Sequence, residues 1–328
     1  MPDISTTYMG LKLSSPIIAA SSGLTNSLED IKHLEKAGAG AVVLKSLFEE
    51  EIVTEMEREL HRMHSENYLY PETMDYYDTF DVEGTLSEYL KLINDCKKEV
   101  NIPVIASVNC ITSHNWPAYA RNLQDAGADA IELNIFSLPS DTDRKGLDNE
   151  QVYFDIIEAV LKEVNIPVAI KISHYFSNLA DIITRLSKTG IAGLVLFNRF
   201  YSPDIDVDNL EVIPTHIFSQ EYEYTMPLRW IALTSSRTEC DLAATTGIHD
   251  SRTILKMLLA GAQVVQLAST LYKNGIDSIE RFNYELDKWM QKHEFKTLDD
   301  LRGSLSQSKA VNPAGYLRVQ FMKQFSQK

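Results

Sequence analysis

Eight short apolar runs punctuate the chain, each separated from the next by a stretch with helical spacing. They are Pro16-Ile-Ile-Ala-Ala20, Ala41-Val-Val-Leu-Lys45, Pro103-Val-Ile-Ala-Ser107, Ala130-Ile-Glu-Leu-Asn134, Pro167-Val-Ala-Ile-Lys171, Gly193-Leu-Val-Leu-Phe197, Leu242-Ala-Ala-Thr-Thr246 and Gln263-Val-Val-Gln-Leu267. Short, continuous apolar runs of this kind are expected of parallel strands that are covered by helices outside and packed inside a barrel. Among the intervening stretches, Asp277 to Met290 sets Ile279, Phe282, Leu286 and Trp289 at intervals of three, four and three, which is one helical stripe. Val100-Asn-Ile-Pro-Val104 recurs as Val164-Asn-Ile-Pro-Val168, each joining a helix end to a strand start. Ala37-Gly-Ala39, Ala126-Gly-Ala128 and Ala260-Gly-Ala262 supply a glycine where a helix must stop before the next strand. Eight such units in about 250 residues predict an α/β fold, a single (β/α)8 TIM barrel. The barrel is expected over about residues 16–291 of one domain spanning 1–328, with a tail over about 292–328. No GxGxxG follows the first run, which argues against a Rossmann sheet.

Two connections exceed ordinary loop length and follow the C-terminal ends of the second and sixth strands: Phe48 to Gly84 and Asn198 to Asp241. The first carries Tyr68, Tyr70, Tyr76, Tyr77 and Phe80. It reads equally as a cover for the barrel mouth or as a source of ligand contacts.

Composition narrows the function. The 328 residues are 44% hydrophobic and 23% charged, which excludes a disordered or low-complexity chain. A net charge of -15 repels nucleic acid and anionic membrane, so any phosphate needs a local site. Cys96, Cys110 and Cys240 are widely spaced, so no disulfide framework, CxxC pair or iron–sulfur run can be read, and a reducing cytoplasmic setting is expected. No metal site is expected. The N-terminal stretch lacks a basic segment followed by an apolar one, and no apolar run is long enough to span a bilayer.

In a TIM barrel the reactive groups stand at the C-terminal ends of the strands. Ser21, Ser22 and Gly23 follow the first strand, Lys45 and Ser46 the second, Asn109 the third, while Asn134 and Lys171 end the fourth and fifth. A single strand-end lysine is as readily a structural ion-pair partner. Two lysines converging with amide donors suit an electron-rich ring whose reduced form carries negative charge. Thr245, Thr246 and Gly247 after the seventh strand, with Ser269 and Thr270 after the eighth, have the small and hydroxyl character of a barrel phosphate cradle, or serve only tight packing.

These residues carry a family resemblance. Leu11-Lys-Leu-Ser-Ser-Pro-Ile-Ile-Ala-Ala-Ser-Ser-Gly23, Gly38-Ala-Gly-Ala-Val-Val-Leu-Lys-Ser46, Glu132-Leu-Asn134, Val168-Ala-Ile-Lys171 and Ala260-Gly-Ala262 through Leu271 resemble the dihydroorotate dehydrogenase family in order and spacing. Ile105-Ala-Ser-Val-Asn-Cys-Ile-Thr-Ser-His-Asn-Trp116 looks more like the flavin barrel of dihydropyrimidine dehydrogenase. The resemblance implies bound FMN, hydride transfer between a dihydropyrimidine-like small molecule and flavin N5, a place in pyrimidine metabolism, and a homodimer. It places Ser21, Ser22, Gly23, Lys45, Ser46, Asn109, Asn134 and Lys171 around the flavin, and Thr246, Gly247, Ser269 and Thr270 at its phosphate. It places Lys45, Asn134 and Asn198 against the substrate.

The substrate half departs from the pattern. Where the family reads Asn-Leu-Ser-Cys-Pro-Asn, this chain reads Asn134-Ile-Phe-Ser-Leu-Pro-Ser140, one residue longer and without the cysteine base. Ser137 is the best candidate base beside Lys45, although a loop serine equally forms a turn; His174 is an alternative. Rival readings are a flavin enzyme acting on another cyclic imide, enone or pyrimidine, a non-catalytic FMN-binding or scaffold barrel, and a phosphosugar lyase or isomerase using Lys171 as a Schiff base.

Overall fold

A computed structural model describes residues 2–52, 54, 84–110, 115–135, 138–199 and 202–317. Eight parallel strands close on themselves: β3 (Ile17–Ala19), β4 (Ala41–Val43), β6 (Val104–Asn109), β7 (Ala130–Asn134), β8 (Val168–Ile172), β9 (Gly193–Leu196), β12 (Asp241–Ala244) and β13 (Val264–Leu267). Closure comes from β13 pairing back onto β3, with Val265 opposite Ile17, and from β4 pairing with β6. A two-residue strand, β5 (Leu47–Phe48), extends the second position along the end of β6. All eight apolar runs are barrel strands, and the fold is a (β/α)8 TIM barrel.

Helices wrap the outside: α1 (Leu28–Lys36), α2 (Thr85–Glu99), α3 (Trp116–Asp125), α4 (Gly146–Glu163), α5 (Leu179–Leu186), α6 (Thr225–Thr234) and α7 (Ser251–Ala260), then α8 (Ser269–Asn274), α9 (Ser278–Lys292) and α10 (Leu298–Leu301) after β13. Local signals explain their ends. The Ser27 hydroxyl accepts from Asp30 N at the start of α1, and the Asp250 carboxylate accepts from Thr253 N at the start of α7. Gly261 stops α7 at φ 119°, a left-handed conformation that costs a side-chain-bearing residue strain. The repeated pentapeptide is a structural repeat: Val100 and Val164 cap α2 and α4 at nearly the same φ and ψ, -124° and 152° against -123° and 153°. In α9 the buried stripe is Ile279, Phe282, Leu286 and Met290; Trp289, expected on that stripe, sits at its margin and stacks on His293 and Phe295.

An antiparallel hairpin, β1 (Thr6–Tyr8) and β2 (Leu11–Leu13), precedes the barrel and drives Tyr8, Met9 and Leu13 into its N-terminal end. The connection after β9 holds a second hairpin, β10 (Ser202–Asp206) and β11 (Glu211–Thr215), followed by the segment leading into α6. Residues 303–307 run along α6 and α7, with Gly303 N donating to Leu258 O, Leu305 N to Leu259 O and Gln307 N to Ala232 O, while Lys296 O accepts from Asp3 N near the chain start. Most of the connection after the second strand, with Tyr68 through Phe80, lies outside the described residues.

Candidate active site

Side chains on a strand alternate sides, so every second residue of each barrel strand faces the axis. Near the N-terminal end the inward layer is apolar: Ile18, Val43, Ile105, Ala130, Ala169, Val195, Ala243 and Val264 pack with the hairpin plug. Two residues further along, the corresponding positions are Ala20, Lys45, Ser107, Glu132, Lys171, Phe197, Thr245 and Gln266. The barrel interior therefore changes from apolar to polar over one step on six of the eight strands, Ala20 and Phe197 remaining apolar, and a cavity of about 460 Å³ opens above this largely polar floor at the C-terminal mouth.

Its wall contains Ser21, Ser22, Gly23, Lys45, Ser46, Asn109, Asn134, Lys171 and Asn198, together with Thr245, Thr246, Gly247 and Ser269. Thr270 is not part of the wall; its hydroxyl points to His249 O at 3.5 Å and accepts from Asn274. His174 does not line the cavity either. It packs against the rings of Tyr175 and Phe197, and burial holds its imidazole below the ordinary histidine range. Ser137 lies outside the described residues.

A hydroxyl chain fixes one side of the floor. Ser46 N donates to Ser21 Oγ at 2.9 Å, Ser46 Oγ lies 2.8 Å from Ser107 Oγ, and Asn134 Nδ2 donates to Ser46 Oγ at 3.4 Å. Tyr89 of α2 anchors Ser107 by donating to its carbonyl and accepting from its N–H. On the opposite side, Asn198 Nδ2 donates to Lys171 O. Each cation of the wall has an acid beside it: Lys45 with Glu51 at 3.3 Å, Lys171 with the buried Glu132 at 3.7 Å, and Arg199 with Glu223 at 3.1 Å.

Residues 217–223 form a strap over the mouth, held from three elements. Arg199 Nε reaches both Glu223 oxygens and its Nη1 donates to Ile217 O. Ser219 N donates to Ser269 Oγ, Lys273 Nζ donates to Ser219 O at 2.7 Å, and Ser219 Oγ meets His249 Nε2 at 3.0 Å. Burial, reinforced by the nearby Lys273 charge, keeps His249 below its ordinary pKa. Beneath the strap the chain turns through Thr246 and Gly247, both in the left-handed region at φ 75° and 73°. A Cβ on Gly247 would meet Glu223 C at 2.7 Å and Tyr224 N closer still, so only glycine lets the strap seat.

Three buried polar atoms belonging to the wall have no partner among the described residues: Ser22 Oγ, Asn134 Oδ1 and Gln266 Oε1. Buried polar atoms are ordinarily satisfied, so three around one cavity mark a place for a polar ligand. Glu132, Gln266 and Arg199 were given no role by the sequence reading. Glu132 and Gln266 carry a detectable signal, a polar residue inside an apolar run at the inward parity of its strand. Arg199 carries none, because its role depends on a strap 24 residues later.

A model of the dihydroorotate dehydrogenase family matches residues 3–290. The dihydroorotate dehydrogenase B (NAD(+)) catalytic subunit of Thermoplasma volcanium is 26% identical over 317 residues, covering 92% of this chain and 98% of that protein. The NAD-dependent dihydropyrimidine dehydrogenase subunit PreA of Escherichia coli is 23% identical over 320 residues, covering 92% and 76%. A crystal structure of DHODH from Eimeria tenella, in complex with ferulenol, shares the fold with a TM-score of 0.67 at 14% identity, covering 92% of this chain and 88% of that one. The chain thus belongs to the dihydroorotate dehydrogenase family, oxidoreductases acting on CH–CH bonds.

Proposed function

We propose that the protein is an FMN-dependent oxidoreductase that moves hydride between a dihydropyrimidine-like substrate, dihydroorotate or orotate, and flavin N5. The observation that carries this is the polar floor: two lysines, three asparagines and three unpartnered buried atoms around one cavity at the C-terminal mouth. The donor set suits a flat, hydrogen-bonding ring, and the cavity volume lies in the range of small-ligand sites. Ser21, Ser22, Gly23, Ser46, Asn109 and Lys171 hold the ring in this reading, while Thr246, Gly247 and Ser269 hold the phosphate. When bound, FMN supplies a two-electron acceptor for hydride.

Lys45, Asn134 and Asn198 orient the substrate through its carbonyl and N–H groups. Ser137 takes the proton from the carbon adjacent to the one that loses hydride, passing it on through water because a serine hydroxyl is a weak base. The strap from 217 to 223 keeps water from the reacting face. A second reading, oxidation or reduction of another cyclic imide, enone or pyrimidine, is favoured by the Asn134-Ile-Phe-Ser-Leu-Pro-Ser140 sequence in place of a cysteine loop. The likeness to the dihydropyrimidine dehydrogenase subunit points the same way.

The protein acts in the cytoplasm as a homodimer in this reading. Hairpin residues Val207, Leu210 and Val212, 74%, 86% and 70% exposed, offer the apolar surface for a second copy. Among the described residues no helix is long and apolar enough to cross a membrane.

The deciding experiment is the anaerobic visible spectrum of purified protein before and after dihydroorotate is added. Rapid bleaching of flavin bands supports the reading. Persistent flavin bands move the search to other unsaturated rings, and absence of flavin after FMN addition overturns it.

A further inference from the structure

Glu132 is 1% exposed, a carboxylate at the centre of the barrel. It stands behind the cavity, below two residues that do line it: Gln266 Nε2 donates to Glu132 Oε2 at 2.6 Å, and Lys171 Nζ lies 3.7 Å from Glu132 Oε1. Gln266 turns its NH2 group to Glu132. Its carbonyl oxygen is left buried and unpartnered. A separation of 3.7 Å is an ion pair rather than a hydrogen bond, which leaves the Lys171 N–H groups free to donate elsewhere. Removing water from a carboxylate is costly unless charge and hydrogen bonds compensate; here Gln266 hydrogen-bonds Oε2, while Oε1 accepts no hydrogen bond among the described residues and faces only the Lys171 charge.

We propose that Glu132 is a positioning residue that aims Lys171 and the Gln266 carbonyl at the ring in the cavity and offsets the lysine charge, setting how far the site favours the reduced ring over the oxidised one. This rests on the flavin reading above. A lone ammonium facing a ring in a poorly solvated barrel would favour the negatively charged reduced state strongly. A carboxylate directly behind it weakens that preference while holding the lysine in place.

The test combines Glu132→Gln, Lys171→Met and the double variant. In FMN-loaded protein equilibrated with a redox dye, Glu132→Gln should raise the ratio of reduced to oxidised binding about tenfold, a midpoint shift of about +30 mV for a two-electron couple. Lys171→Met should move it the other way, and the Glu132→Gln effect should shrink in the Lys171→Met background. In apo protein, Lys171→Met strands a buried carboxylate and should melt lowest, and adding Glu132→Gln should restore much of the loss. FMN uptake with an unmoved potential in Glu132→Gln overturns this proposal alone, and wild-type protein that takes up no FMN overturns the flavin reading with it. Should Glu132→Gln not fold, a double variant no more stable than Lys171→Met overturns the proposal, and one that regains stability supports it.

Discussion

Replacing Gly247 by alanine puts a methyl group where the backbone of the strap already lies. Gly247 has φ 73°, and its Cβ would meet Glu223 C at 2.7 Å and the Tyr224 amide nitrogen closer still, both backbone atoms that no rotamer change can move. Left-handed strain on a residue bearing a side chain amounts to roughly 1–3 kcal/mol. Steric overpacking against backbone adds about 1–3 kcal/mol more. Gly10 separates the two effects, since its φ is 78° yet nothing lies within 4 Å of its Cβ position. At about 2 °C per kcal/mol for a chain of this size, Gly10→Ala should lower the melting temperature by about 2–6 °C and Gly247→Ala by about 4–12 °C. The assay is thermal melting of both apo variants side by side, followed by FMN titration read by flavin fluorescence. If about 1.4 kcal/mol of the Gly247 clash is relieved by lifting the strap, the FMN dissociation constant rises about tenfold in Gly247→Ala, whereas Gly10→Ala leaves it near wild type. Equal melting losses in the two variants would refute the claim that the strap backbone is seated against Gly247.

Arg199→Lys keeps the charge but loses the fork that spans both Glu223 oxygens and Ile217 O, so about 1–3 kcal/mol of lost local stability should make limited proteolysis cut residues 217–223 about 5- to 150-fold faster. His249 and His174 both sit below the ordinary histidine value of 6.5, so the folded state binds fewer protons than the unfolded chain as pH falls. Their contribution is therefore present above about pH 6.5 and lost below it, and His249→Gln should flatten the melting-temperature profile between about pH 5 and 6.5 relative to wild type. Ser137→Ala should slow anaerobic flavin bleaching by substrate about 10²–10⁴-fold with FMN affinity unchanged, and an unaltered rate would remove Ser137 from the reaction.

The apolar runs and the glycines after the helices determine a parallel barrel by themselves, because strand period, helix stop and closure are written in local residue types. Polar residues ending those runs likewise determine where the cavity opens, since strand direction alone decides which end of a run faces the mouth. Thr270 shows the limit of such reasoning: it is adjacent to Ser269 in sequence, yet a helical turn rotates its hydroxyl towards His249 and out of the wall. Glu132 is in plain view of the sequence, but its meaning depends on Lys171 one strand over and on Gln266 of β13, well away around the barrel. The strap is the extreme case, because Arg199, Ser219, His249 and the α8 pair Ser269 and Lys273 come from four separate segments that only the closed barrel brings to one rim. Pattern along the chain specifies the scaffold through short-range backbone preference and burial. The pairing of charges across the barrel and the clasp over its mouth depend on through-space distances of about 3 Å between residues far apart in sequence, and only the tertiary structure decides those.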